Sequence, residues 1–328
     1  MSETVRPSSD IDLPIFSAGI GAATSGPRHA SRLSPAQGTP LSAPRASAGR
    51  LPLFASTALA GRIERAEAQL IAEASEAARR RGADAGGFVI PVAGGVASFA
   101  EESSPFNKVA GLGFGGVPDA AALGEIERAF AARGVPVQVE LANLADSEIG
   151  AFLTGRGYRL ISFENVLGRG LAGELERVVP PGIKVRPSGD DELETWLGVV
   201  VDAGLHPDTE GLPSHEEFPP EALAGAERDL VTAAGVIRYA ALRDGIIVGG
   251  ASFRLAEGIA QFTGAATSPA HRRLGIQTAL LSARLADAAA VGCDIAVVTT
   301  QPGSKSQQNV QRRGFDLLYT RAVLVRQP

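Results

Sequence analysis

The apolar residues change period several times along the chain, and the changes mark out its elements. Near the start, ALAGRIERAEAQLIAEASEAARRR repeats apolar residues every three or four positions, which predicts one long amphipathic helix over about 57–81. Strand-like runs follow in GGFVIPVAG, VASFAEE and NKVAGLGF. A helix is then expected over 119–133, a strand at PVQVEL, a helix over 146–154 and an extended run, YRLISFENVLGR. The rest of the chain reads in the same style. IKVRPS is a strand, DDELETWLGVVVDAG a helix, and the Pro-rich HPDTEGLPSHEEFPP a loop leading into a helix over 220–233. Strands VIRYAALR, GIIVGGASFRL and IAQFTGAAT precede a helix from about Gly275, the strand DIAVVTT, a short helix over 304–313 and a last strand, LLYTRAVLVR.

The second pattern overlies the first. GRGYRLISFENVLGR (155–169) matches RRGFDLLYTRAVLVR (312–326) at an offset of 157, with Gly157 over Gly314, Tyr158 over Phe315 and Arg169 over Arg326. The same offset lays PVQVEL against IAVVTT, so one mixed α/β unit is expected twice. Pro180 and Pro181 break helix and central strand alike and separate a first copy, 51–178, from a second, 182–328. Residues 1–50, rich in Ser, Pro, Gly and Ala, read as a disordered extension that could dock at IDLPIF.

Composition narrows the class. The chain has 328 residues, is 45% hydrophobic and carries a net charge of −5, which argues against a nucleic-acid partner. No run is long and apolar enough for a spanning helix, because Arg284 and Asp287 interrupt Thr278–Val291, so no membrane is expected. The first residues, MSETVRPSSDIDLP, lack the basic and apolar regions of a secretory leader. The single cysteine, Cys293, excludes an internal disulfide, fits a cytoplasmic location and reads as a small buried residue opening a strand. Charge is uneven: 269–328 has eight Lys/Arg against three Asp/Glu, and 182–268 has six against fourteen. A basic segment beside an acidic one suits a polyanion bound next to a cation.

The candidate chemistry sits at SPAHRRLGIQTALL, 268–281. Pro269 takes the chain out of the preceding strand. Ile276, Ala279, Leu280 and Ala283 share one helical face, so a helix begins near Gly275 with unpaired N–H groups facing the loop. Those donors and the helix dipole favour an anion, and Arg272 and Arg273 add cationic forks. Gly275 admits a close backbone approach. The pattern is a cradle for a diphosphate. In the first copy, Gly115 and Gly116 stand where the two arginines would be.

This stretch resembles motif A of the Gcn5-related N-acetyltransferase (GNAT) family, Arg/Gln-x-x-Gly-x-Gly/Ala after Val-x-Pro. Thr267-Ser268-Pro269 and Arg272-Arg273-Leu274-Gly275-Ile276-Gln277 occupy it, with Thr267 in place of Val and Gln277 in place of the small last residue. DIAVVTT, the short helix SKSQQNVQRR with its capping box Ser304–Gln307, and Gly314-Phe315 fill the family's later positions. The resemblance covers 182–328 well and about 80–170 weakly. It implies an α/β mixed-sheet fold of two tandem GNAT-like domains, the first degenerate, and an acetyl-CoA-dependent N-acetyltransferase acting on a small-molecule amine by direct attack, without a metal. Arg272, Arg273, Leu274, Gly275, Ile276, Gln277 and Thr278 would hold the diphosphate of acetyl-CoA, Ala265 and Thr267 its pantetheine, and Asn309 would face the cofactor. Many members carry a tyrosine four residues before the Gly of Gly-Phe; this chain has Val310 there, and Tyr319 is the substitute candidate for the acid. Two other readings of the architecture are a non-catalytic acyl-CoA-binding module and an aminoacyl-tRNA-dependent transferase, the latter opposed by the acidic 182–268 segment.

Three further signals read as structural. GLGFGG at 111–116 lacks dinucleotide-loop spacing and reads as a strand end and turn. His206, Asp208, Glu210, His215, Glu216 and Glu217 lack metal-site spacing and read as a loop near the acceptor entrance. Trp196 reads as core.

Overall fold

The helical period near the start forms α1 (Thr57–Arg80), whose N-cap Ser56 accepts a hydrogen bond from the Leu59 amide. In this computed structural model, residues 51–82, 86–173, 175–207, 218–233 and 235–328 are described; IDLPIF and the whole of 208–217 lie outside them. The first copy continues through β1 (Phe88–Val92), β2 (Gly95–Phe99), β3 (Lys108–Ala110), α2 (Ala120–Ala131), β4 (Val137–Ala142), α3 (Glu148–Gly155) and β5 (Arg159–Gly170). The second runs through β6 (Ile183–Pro187), α4 (Leu193–Leu205), α5 (Pro220–Thr232), β7 (Val236–Arg243), β8 (Ile246–Ala256), β9 (Ile259–Thr267), α6 (Ile276–Ala290), β10 (Ile295–Thr300), α7 (Lys305–Gln311) and β11 (Asp316–Arg326). The offset of 157 lays α2, β4, α3 and β5 over α6, β10, α7 and β11 to within a residue or two at most ends.

The eleven strands of the described residues join one sheet in the order β1-β2-β3-β4-β11-β5-β10-β9-β8-β7-β6. The last strand of each copy has crossed into the other. β11 lies between β4 and β5, and β5 lies between β11 and β10. Their antiparallel pairing is centred on Arg321 opposite Glu164, two positions related by the repeat offset itself. Residues Leu51–Pro328 form one compact unit.

Alternation along the strands sorts the two faces. On β9, Ala260 and Phe262 pack with Ile276, Leu280 and Ala283 of α6, whereas Ile259 packs with Ala60 and Ile63 of α1. On β4, Val137 and Val139 pack with α2 and α3, and Ala142 with α1. Helices α1, α4 and α5 therefore share one face. Leu70, Trp196, Leu197, Val200 and Leu230 join them. Trp196 is fully buried and donates to the Tyr239 carbonyl. Cys293 is buried two residues before β10.

Candidate active site

Two left-handed residues shape the loop before α6. Arg273 has φ +67° and Gly275 has φ +81°. At the second position a Cβ would lie 2.9 Å from Pro180 Cγ, so the structure asks for glycine on two counts, backbone conformation and packing against the interdomain linker. The sequence alone shows only that Gly275 leaves room for a ligand. Gly275 caps α6 without a side-chain acceptor, and the first bond of the helix is Ala279 N to the Gly275 carbonyl. The amides of Ile276, Gln277 and Thr278 thus face the loop, as N-terminal helical amides do. The counterpart helix α2 is closed instead: Asp119 Oδ1 accepts from the Ala122 amide at 2.7 Å. In the first copy a carboxylate of the chain itself occupies the anion position.

The two arginines do different things. Arg272 donates to the carbonyl oxygens of His206 and Ala203 and ties the loop to the end of α4. Arg273 is exposed, as is Leu274 beside it. Gln277 donates from Nε2 to Thr267 Oγ1 at 2.9 Å, so its side chain fastens the first turn of α6 to the end of β9. Ser304 caps α7 by accepting from Gln307 N, while Gln307 Oε1 accepts from Gly303 N rather than from the cap residue. Asn309 is half-buried on α7.

Beside this loop the sheet opens. β9 and β10 run parallel and pair only from Ile259/Ile295 to Phe262/Val298. The next residues of β9 bulge: the register against β8 shifts between Ala251 and Ser252, leaving Gly264, at φ +24°, unmatched. From there Ala265, exposed, and Thr267, buried, present their β10-facing edge to no strand among the described residues. A cavity of about 340 Å³ opens at this point, on the face of α1 and α5. Apolar walls come from Leu70, Ile71, Phe106, Leu223 and Leu230, and polar ones from Glu67, Lys108, Glu227, Gln261, Thr299 and Arg321.

A buried polar cluster forms the cavity floor. Arg321, 1% exposed, donates from Nε to Glu64 Oε1 at 2.8 Å, and its Nη1 lies 3.7 Å from Glu164 and 3.8 Å from Glu140. Lys108 donates to Glu140, and Gln261 Nε2 to Glu67. Burial and the neighbouring Glu140 push the Glu164 carboxyl up to about 7. Three polar atoms around the cavity have no hydrogen-bond partner among the described residues: Gln261 Oε1, Arg321 Nη2 and Glu227 Oε2.

Tyr319 does not line the cavity. It is 3% exposed, and its hydroxyl donates to Glu64 Oε1 at 2.6 Å. Burial and the Glu64 charge hold that proton far more tightly than a free phenol would. The geometry makes Tyr319 a brace for Glu64, with its hydroxyl proton already engaged. Glu227, which also lines the cavity, does carry a signal in the sequence. Leu223, Ala226, Glu227, Leu230 and Val231 fall on one helical stripe, and a lone carboxylate in an apolar stripe is a buried polar residue in want of a partner.

Residues 206–315 match the family model described as the acetyltransferase (GNAT) family. Among solved structures, a GCN5-related N-acetyltransferase from Kribbella flavida superposes with a TM-score of 0.55 at 23% identity, over 78% of this chain and 95% of that one. A tandem GNAT protein from the clavulanic acid biosynthesis pathway gives 0.52 at 14% identity, over 84% and 97%. No curated protein matches the chain. The identities make these likenesses of fold, and the fold is that of tandem GNAT proteins. No helix among the described residues is long and apolar enough to cross a membrane.

Proposed function

We propose, taking a GNAT-family domain within a tandem GNAT fold as the premise, that this chain transfers an acetyl group from acetyl-CoA to a small-molecule amine. The second copy, 182–328, would do the chemistry, and 51–178 is its degenerate partner. One observation carries the reading: an uncapped helix end beside two splayed parallel strands in the second copy, against a helix sealed by Asp119 in the first. The amides of Ile276, Gln277 and Thr278, with Arg273, would hold the diphosphate. Each helix-end contact contributes about 0.3–1 kcal/mol when exposed and up to about 2 when partly buried. Arg272 supports the loop through α4. The open edge of Ala265–Thr267 would pair with the pantetheine amides, and Asn309 on α7 would border its path. Positioning of the two reactants supplies most of the rate in such a site.

The test is calorimetric titration with CoA, followed by thiol release from acetyl-CoA in the presence of primary amines. Arg273→Glu is expected to weaken CoA binding about tenfold or more with the circular dichroism unchanged, because an exposed carboxylate then faces the anion site in place of a guanidinium. Unaltered CoA affinity in that variant would remove the cofactor from this loop. A second reading, an acyl-CoA-binding module without turnover, draws on Val310 in place of the usual tyrosine and on the engaged Tyr319 hydroxyl. Thiol release separates the two.

A further inference from the structure

The cavity between α1, α5 and the splayed strands has walls that do not balance in charge. Among the described residues, five carboxylates, Glu64, Glu67, Glu140, Glu164 and Glu227, surround it or its floor, against two cations, Lys108 and Arg321. Both cations are already engaged, Lys108 with Glu140 and Arg321 with Glu64. Glu227 stands apart from that network. Its Oε2 is inaccessible to solvent and without a partner among the described residues, and it sits 3.0 Å from where a Cβ on Gly264 would be. The carboxylate therefore overhangs the bulge where β9 leaves β10. A buried carboxylate without a partner is costly, and a ligand cation is the simplest remedy. The remaining wall is aliphatic and aromatic.

We infer that this cavity is the acceptor site for a primary ammonium carried on an apolar body, and that Glu227 is the catalytic residue that binds the ammonium and takes its proton. The inference rests on the proposed function for the identity of the electrophile. The ammonium enters paired with Glu227 and gives up one proton to it. The freed lone pair forms the C–N bond at the thioester carbonyl, the C–S bond breaks with its electrons on sulfur, and the second nitrogen proton passes to the thiolate. The products are an acetamide, the free thiol and one proton, which leaves from Glu227 to solvent.

Among the described residues, the groups facing Glu227 are few. α1 offers Glu67, β3 Lys108 and β11 Arg321; β9 and β10 present Gln261, Thr263 and Thr299. Its helical neighbours Arg228 and Asp229 are paired outward with Glu194 and Arg81, and Arg238 of β7 is paired with Asp190. Burial alone raises the Glu227 carboxyl to about 7. Below that pH it is protonated and cannot accept a proton, so kcat/KM should climb as pH rises through about 7.

The experiment uses the full chain, benzylamine as the probe amine and benzyl alcohol as its neutral counterpart, with Glu227→Gln as the variant. Circular dichroism and CoA titration accompany both proteins. The wild type is expected to bind benzylammonium and not benzyl alcohol, and Glu227→Gln to bind it at least tenfold more weakly. The variant's acetyl transfer to benzylamine should fall by about 10²–10⁴ at pH 7 and lose the limb near pH 7. Failure of the wild type to bind benzylammonium, equal affinities in the two proteins, or a pH profile unchanged by the substitution would each overturn the assignment. CoA affinity tells the two claims apart. CoA bound equally by both proteins while the amine results fail sinks Glu227 alone, whereas CoA not bound by the wild type sinks the proposed function.

Discussion

At the scale of single residues, adjacent and chemically identical side chains divide the work. Arg272 points back to the carbonyls that end α4, and Arg273 stays in solvent at the loop tip with a left-handed backbone. Arg273→Ala should therefore weaken CoA by about three- to tenfold, more steeply at low salt, without a change in the urea midpoint. Arg272→Ala should lower the unfolding free energy in a urea titration by about 0.5–1.5 kcal/mol, because it frees two carbonyls at a helix end, and should touch CoA affinity only through the slackened loop. Equal stability losses in the two variants would contradict this division. The sequence could show that two cations precede a helix. It could not show which of them faces inward, since that depends on α4, far away in the chain. The same limit hid the polar floor of the cavity. Glu64 and Glu67 lie within the apolar stripe of α1, at positions set by Ala60, Ile63, Leu70 and Ile71, yet what they meet is Arg321, more than 250 residues later.

At the scale of elements, the repeat was plain in the sequence and the structure follows it closely, because period and punctuation are local properties. Every predicted strand and helix among the described residues is present, with ends moved by a few residues. What distinguishes the copies is how their equivalent helices begin. α2 is capped by Asp119, and α6 starts on a glycine with its amides unsatisfied by any side chain. Asp119→Ala should cost about 1 kcal/mol in a urea titration and leave CoA affinity as it was, since the first copy holds its own anion there. A fall in CoA affinity would mean that the first copy takes part in cofactor binding. The bulge at Gly264 was not legible in IAQFTGAAT, because a bulge is a relation between two strands and appears only once β8 is laid against β9.

At the scale of the whole molecule, the repeat invites the expectation of two independent domains, and the sheet gives a physical reason to expect linked behaviour. A sequence repeat reports that two units are alike; it is silent on whether their last strands stay at home. Here β11 pairs with β4 and β5, both of the first copy, and the crossing point sets Arg321 against Glu164. Arg321 also reaches Glu64 and Glu67 on α1 and Glu140 on β4, so one guanidinium of the second copy is held by four carboxylates of the first. Neither copy can lose its closing strand without opening the other's ladder, and removing the cation leaves those carboxylates buried without compensation. Calorimetry of the full chain should therefore give one endotherm over Leu51–Pro328. Arg321→Met should move that single transition down as a whole, by about 3–5 kcal/mol in urea, since the cost of a broken buried pair falls on both copies at once. Two resolved transitions, or a shift confined to part of the unfolding signal, would show that the exchanged strands do not couple the halves.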